Sequence, residues 1–99
     1  MRIKIEKVNE VSVDNGECWS GMTRHPSHRH PIKILIFNYE GGYRAIRAHC
    51  PHQGLDMEGC GVDDEGYVTC PKHGLMLDVN ADEHGLSVER DDSGFYMVS

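Results

Sequence analysis

The chain has 99 residues, of which 38% are hydrophobic and 26% are charged, and its formal net charge is −6 at pH 7. This length predicts one domain, residues 1–99, whose core is too small for an elaborate substrate pocket beside a cofactor. The acidic balance argues against nucleic acid as a partner. The longest apolar run, residues 34–37, is too short for a signal peptide or a membrane span.

Short strand-like runs separated by turn residues recur along the chain. No segment shows a sustained apolar stripe of 3.6-residue period, so we expect strands rather than helices. Glu40-Gly41-Gly42 and Asp91-Asp92-Ser93-Gly94 predict hairpin turns, because Gly and Asp tolerate positive φ. This favours an antiparallel all-β sandwich or barrel with a small metal-binding insertion. The predicted strands are residues 2–8, 17–22, 32–38, 43–48, 67–69, 75–79, 86–90 and 95–98.

Two segments each offer one thiolate and one imidazole as metal ligands. Cys50-Pro51-His52 has the form C-x-H, and Cys70-Pro71-Lys72-His73 has the form C-x-x-H; residues 53–69 separate them. The commoner zinc arrangement takes two cysteines from one segment and two histidines from another, which this pattern does not provide. A [2Fe-2S] cluster explains the mixture better, with two cysteines on one iron and two histidines on the other.

This spacing resembles the Rieske [2Fe-2S] signature, and Gly54 and Gly74 beside it resemble residues of the family's two cluster loops. The resemblance is strongest over residues 45–79. It implies an antiparallel Rieske-type β-sandwich or barrel with a small cluster-binding subdomain, and one [2Fe-2S] cluster per chain.

Carried over residue by residue, the resemblance implies a complete set of four protein ligands. Cys50 and Cys70 would bind the buried iron, and His52 and His73 would bind the outer iron. Replacing thiolates by imidazoles raises the reduction potential above that of an all-cysteine cluster.

The same loops lack the residues that raise the potential further in the Rieske proteins of quinol-oxidising complexes. Those proteins resemble C-x-H-x-x-C and C-x-C-H-x-S, whereas this chain has Leu55, Lys72 and Leu75 at the additional positions. A Tyr that often follows is Leu77 here. This chain therefore lacks the Ser and Tyr hydroxyls that could donate hydrogen bonds to the reduced cluster. We expect a reduction potential at the low end of the Rieske range, roughly −150 mV.

The function that this resemblance implies is one-electron transfer by a monomeric Rieske ferredoxin, which is a carrier and not itself an enzyme. A flavin-dependent NAD(P)H reductase would supply the electrons. A terminal oxygenase, such as an aromatic-ring-hydroxylating dioxygenase or a diiron monooxygenase, would receive them. Two alternatives remain open: the small Rieske-type subunit of an assimilatory nitrite reductase, and a structural zinc module with the same four ligands.

Several residues outside the motif have competing interpretations. His25, His28 and His30 could form a secondary metal site, but a polar surface loop is favoured because no Cys, Asp or Glu lies among them. Cys18 and Cys60 are expected to pack as small apolar residues. Since two of the four cysteines belong to the motif and these two have no pairing logic, a reducing cytoplasm is expected.

Two further expectations concern the surface. Residues 80–85 form a shorter connection than Rieske ferredoxins usually have after the second loop, so the 23–31 loop is a candidate substitute cover for the cluster. Acidic groups at 63–65, 82–83 and 89–92 are either solvated faces or a means of steering basic partners.

Overall fold

The computed structural model describes residues 2–13, 17–24, 31–39, 41–48, 60–63, 65–69, 76–80 and 85–98. These segments contain nine β-strands and no helix, which confirms the all-β prediction. In chain order the strands are β1 (Arg2–Lys4), β2 (Glu6–Val11), β3 (Cys18–Thr23), β4 (Ile32–Tyr39), β5 (Gly42–Arg47), β6 (Tyr67–Thr69), β7 (Met76–Asp78), β8 (Leu86–Asp91) and β9 (Gly94–Val98).

Seven strands form one antiparallel sheet in the order β1-β9-β8-β5-β4-β3-β2. The two outermost strands, β1 and β2, are consecutive in the chain and are separated only by Ile5. The backbone N–H of Ile5 donates to the carbonyl of Phe95 at 2.9 Å, so pairing continues across this joint. The sheet therefore curls into a barrel that closes where β1 and β2 meet at Ile5.

The bend between β1 and β2 has two local causes. The register with β3 shifts between Glu6 and Asn9, and Lys7 within this interval has φ of 54°. Such an irregularity bends a strand and increases its twist. Gly21 on β3 leaves room for the corner, because a Cβ there would lie 2.5 Å from Cγ2 of Ile5. The predicted strand 2–8 is therefore two strands with different partners.

The two predicted hairpin turns are present. Tyr39 pairs with Gly42 and Asp91 pairs with Gly94, so each loop contains two residues. Gly41 has φ of 78° and Gly94 has φ of 135°, conformations that a residue with a Cβ rarely adopts. Glu40 of the first turn lies outside the described residues.

A second, two-stranded sheet consists of β6 and β7, called the hairpin below. Tyr67 pairs with Asp78 and Thr69 pairs with Met76. An isolated bridge between Val62 and Val68 adds one further contact along β6.

Two buried clusters lie on opposite faces of the barrel wall. Strand β4 contributes to both, because Ile34 and Ile36 face the barrel interior while Leu35 and Phe37 face the hairpin. All four are fully buried, which accounts for the uninterrupted apolar run. The barrel core consists of Ile5, Trp19, Ile34, Ile36, Ala45, Val88, Phe95 and Met97. The outer core consists of Cys18, Leu35, Phe37, Ile46, Ala48, Val62, Val68, Leu77 and Val79.

Candidate metal centre

The four predicted ligands, Cys50, His52, Cys70 and His73, lie outside the described residues. The structure does describe the strands from which their two loops depart. These strands determine where each loop begins and ends.

The first loop, residues 49–59, departs from the barrel and ends beside the hairpin. It begins after Ala48, which is fully buried and whose N–H donates to the carbonyl of Lys33 at 2.9 Å. It ends at the partly buried Cys60, which packs against the outer core. Two residues later, Val62 forms its bridge with Val68 on β6. The loop is thus anchored on both sheets.

The second loop, residues 70–75, joins the two strands of the hairpin. Val68 and Leu77, a cross-strand pair, are buried in the outer core. Thr69 and Met76, the next pair along, are both exposed, and the relative exposure of Met76 is 50%. The hairpin therefore buries one face on the barrel, while its last described pair, between which residues 70–75 run in the chain, is exposed.

The base of the hairpin is fixed against the barrel at the far end from this loop. A Cβ on Gly66, just before β6, would lie 3.2 Å from Cζ of Tyr39, the last residue of β4. Asp63 stabilises the turn into β6, because its Oδ1 accepts hydrogen bonds from the N–H groups of Glu65 and Tyr67 at 2.9 Å each. The direction of β6 is therefore set before the chain reaches the second loop.

Both loops leave the same packed region. Ala48, which precedes the first loop, belongs to the same buried cluster as Val68 and Leu77, which flank the second. Each loop carries one cysteine and one histidine of the predicted ligand set. This donor chemistry fits a [2Fe-2S] cluster held between the two loops, with two ligands of each kind.

A metal site outside the four predicted ligands would need its own group of donor side chains. In the part of the chain that the structure describes, no group of three or more His, Cys, Asp or Glu residues is placed to hold a metal ion. His25, His28 and His30 lie outside that part, so their interpretation remains a prediction.

The cysteines outside the motif pack as expected. Cys18 is fully buried in the outer core, with its Sγ 3.9 Å from the carbonyl oxygen of Trp19. Cys60 is partly buried against the same cluster. Trp19 itself is 8% exposed and belongs to the barrel core, in contact with the rings of Tyr43 and Phe95.

Part of the predicted acidic surface is paired. Arg2 lies 3.3 Å from a carboxylate oxygen of Glu89 and 3.4 Å from one of Asp91. The N–H of Ser93 donates to Asp91 at 2.7 Å, and this bond, together with Arg2, holds the pKa of Asp91 below its ordinary value. Two of the three carboxylates among residues 89–92 thus lie beside the cation Arg2, which weakens the negative charge that this group presents to a basic partner.

Comparison with known proteins shows the family. The model of the Rieske [2Fe-2S] domain matches residues 4–90. The methanesulfonate monooxygenase ferredoxin subunit of Methylosulfonomonas methylovora is 38% identical over 42 residues. That match covers 42% of this chain and 34% of the relative, so the chain aligns with about a third of the relative's length. No solved structure matches the chain significantly.

Among the described residues, none belongs to a helix long and apolar enough to cross a membrane. The family match extends over both proposed cluster loops and most of the strands. Its description names a [2Fe-2S] cluster, in agreement with the donor set of two thiolates and two imidazoles. The protein therefore belongs to the Rieske [2Fe-2S] domain family, and its cofactor is a Rieske-type [2Fe-2S] cluster.

Proposed function

We propose that this chain is a one-electron carrier of a multicomponent oxygenase system. It accepts electrons from a flavin-dependent NAD(P)H reductase and delivers them to a terminal oxygenase. The proposal is carried by the sequence pattern of two cysteines and two histidines on two loops, because four protein donors would leave a [2Fe-2S] cluster no open position for a substrate. The named relative is the ferredoxin subunit of a monooxygenase, which supports a carrier of this kind.

Cys50 and Cys70 are the proposed ligands of one iron, and His52 and His73 are the proposed ligands of the other. When bound, the cluster supplies a one-electron redox centre whose potential the imidazoles raise. The chain's own contribution is to hold the loops. Ala48 anchors the first loop through its bond to Lys33, and the hairpin anchors the second.

The outer core excludes water from the strands that lead into and out of both loops. Val68 and Leu77 are 0% and 2% exposed, and the hydrophobic surface that they bury against the barrel holds the hairpin in place. Met76 lies at the exposed end of β7, next to the second loop, where it offers an apolar contact to a redox partner. Its exposure of 50% is the largest among the large hydrophobic residues that the structure describes.

We also propose that residues 1–99 act as one domain, as a monomer, in the cytoplasm. The two sheets share the outer core, which supports a single folding unit. The packing of Cys18 and Cys60 against that core fits a reducing compartment.

The ligand set and the potential are tested together. The purified protein should contain two irons and two sulfides, and should show the visible spectrum of a Rieske cluster. Cys70→Ser should abolish that spectrum, whereas Cys60→Ser should retain it because Cys60 is not a proposed ligand. A redox titration should give a midpoint near the low end of the Rieske range, roughly −150 mV. A clearly positive midpoint would refute the predicted potential.

The transfer function is tested by stopped-flow mixing with a flavoprotein NADH reductase and with the oxygenase of a Rieske-dependent system. We expect the visible bands to bleach on reduction and to recover when the oxygenase is added. A colourless protein that contains zinc would establish the structural module instead. A stable complex with a siroheme-containing subunit would establish the nitrite reductase alternative.

A further inference from the structure

The side chain of Arg44 connects the barrel to the hairpin. Arg44 lies in the middle of β5, opposite Phe37 of β4 and Ser87 of β8. Its Nε donates to the carbonyl of Val79 at 2.7 Å, and one terminal nitrogen donates to Oγ of Ser87 at 2.7 Å. One partly buried guanidinium is therefore bonded to the barrel on one side and to the end of the hairpin on the other.

Val79 is the residue through which the hairpin is held. It follows β7 directly and is fully buried. Its N–H donates to the carbonyl of Gly66 at 2.9 Å, which closes the base of the hairpin, and its own carbonyl accepts the bond from Arg44. Both backbone polar groups of Val79 are thus satisfied, one within the hairpin and one by the barrel.

Gly85 brings a third segment to the same point. A Cβ on Gly85 would collide with the carbonyl group of Val79 and would lie 2.8 Å from a terminal nitrogen of Arg44. Val79 and Gly85, which flank residues 80–84 in the chain, therefore both lie beside the guanidinium. Only a residue without a side chain allows this approach.

We propose that Arg44 is a positioning residue for the cluster site. Through Val79 it fixes on the barrel the end of β7 farther from the second loop. It thereby fixes the direction of β7, which follows residues 70–75 and so the proposed ligands Cys70 and His73. A planar guanidinium suits this role because it presents several donors in a fixed geometry, which neither a flexible ammonium nor an apolar chain reproduces. The inference rests on the proposed assignment of these two residues as ligands.

The alternative is that Arg44 stabilises the fold as a whole and has no particular effect on the cluster. The chain provides two probes that separate these roles. Trp19 is the only tryptophan and lies in the barrel core, so the wavelength of its emission reports the folding of the barrel. The visible absorption of the cluster reports the loops.

The experiment compares Arg44→Met with Arg47→Met, which alters an exposed arginine on the same strand. Each holoprotein is incubated with an iron chelator, and the loss of visible absorption is followed beside the Trp19 emission wavelength. We expect Arg44→Met to lose the cluster about tenfold faster than the wild type, which is the effect of removing hydrogen bonds from a charged donor. Arg47→Met should match the wild type, and Trp19 should keep its native emission while the cluster is lost.

Two milder variants serve as the test if Arg44→Met cannot be purified as a folded protein. Arg44→Lys should lie between the methionine variant and the wild type. Ser87→Ala removes only the bond on the barrel side and should accelerate cluster loss about threefold. The midpoint potential should shift in the same order, Ser87→Ala least and Arg44→Met most.

The proposal is overturned if Arg44→Met and Arg44→Lys retain the cluster as the wild type does, or if Trp19 emission changes in parallel with every loss of absorption. Failure of the ligand assignment is distinguishable, because it shows in Cys70→Ser. If that variant keeps the Rieske spectrum, the ligands are wrong whatever the Arg44 variants do.

Discussion

The barrel and the β6–β7 hairpin differ in how their strands are completed. Each inner strand of the barrel has two neighbours, and the two outermost strands, β1 and β2, follow each other in the chain at Ile5. The hairpin has only two short strands, and an isolated pair of strands is marginally stable in water. It is held by its packing on the outer core and by Arg44. The region proposed to carry redox chemistry is thus the one that depends most on its surroundings.

The largest expected effect is on the free energy of unfolding, when a side chain of the barrel core or of the outer core is truncated. Phe95→Ala removes a ring that contacts Trp19 and Tyr43 in the barrel core and should lower the free energy of unfolding by about 3–5 kcal/mol. Leu77→Ala, in the outer core, should cost about 2–5 kcal/mol. Denaturant titration followed by Trp19 emission measures both.

The two truncations should also differ in the order of events. In Leu77→Ala we expect the visible absorption to disappear at a lower denaturant concentration than the Trp19 transition, because the hairpin detaches first. In Phe95→Ala the two transitions should coincide. Coincident transitions in both variants would show that the hairpin and the barrel unfold as one unit.

A smaller effect is expected at the junction of the two regions. Gly85→Ala places a methyl group against the carbonyl of Val79 and should destabilise the protein by about 1–3 kcal/mol, the usual cost of overpacking. Gly42→Ala is the matched control, because the nearest atom to a Cβ there is the Tyr39 carbonyl oxygen at 3.9 Å. Thermal unfolding of both variants measures the difference. Equal midpoints would mean that the junction yields to the methyl group.

The smallest effect concerns the β8–β9 turn at the surface of the barrel. The pKa of Asp91 is lowered by the N–H of Ser93 and by Arg2, so its carboxylate stabilises the folded state above its unfolded pKa. That contribution is lost as the pH falls below about 4. Asp91→Ala should therefore flatten the dependence of stability on pH between about 5 and 2. Unfolding midpoints measured across that range test this, and identical profiles for the wild type and Asp91→Ala would contradict it.

Much of the barrel follows from local sequence patterns. The apolar run 34–37 and the Gly-containing turns are short-range features, and the strands and hairpins they predict are present. The division of residues 2–8 at Ile5 could not be predicted, because it depends on Gly21 and Phe95 lying beside the corner. Sequence periodicity does not show which distant residue will be a neighbour.

The same distinction applies to the candidate site. The ligand pattern is visible in the sequence because the chemistry of a [2Fe-2S] cluster restricts both residue type and spacing. Arg44 gave no such signal, since an arginine within a strand pattern is normally read as a solvent-facing residue. Its role depends on bonds to Val79 and Ser87, which are 35 and 43 positions away along the chain.

The pairing of β1 with β9 has a consequence for the order of folding. Arg2 is paired with Val98, so this part of the barrel cannot form until all the residues between them have been synthesised. Hairpins such as β4–β5 need only adjacent residues and can form early, whereas contacts so distant in sequence slow folding. Both cluster loops lie between these strands. We therefore expect that the chain emerging during synthesis carries its loops on an open sheet and that the ring closes last.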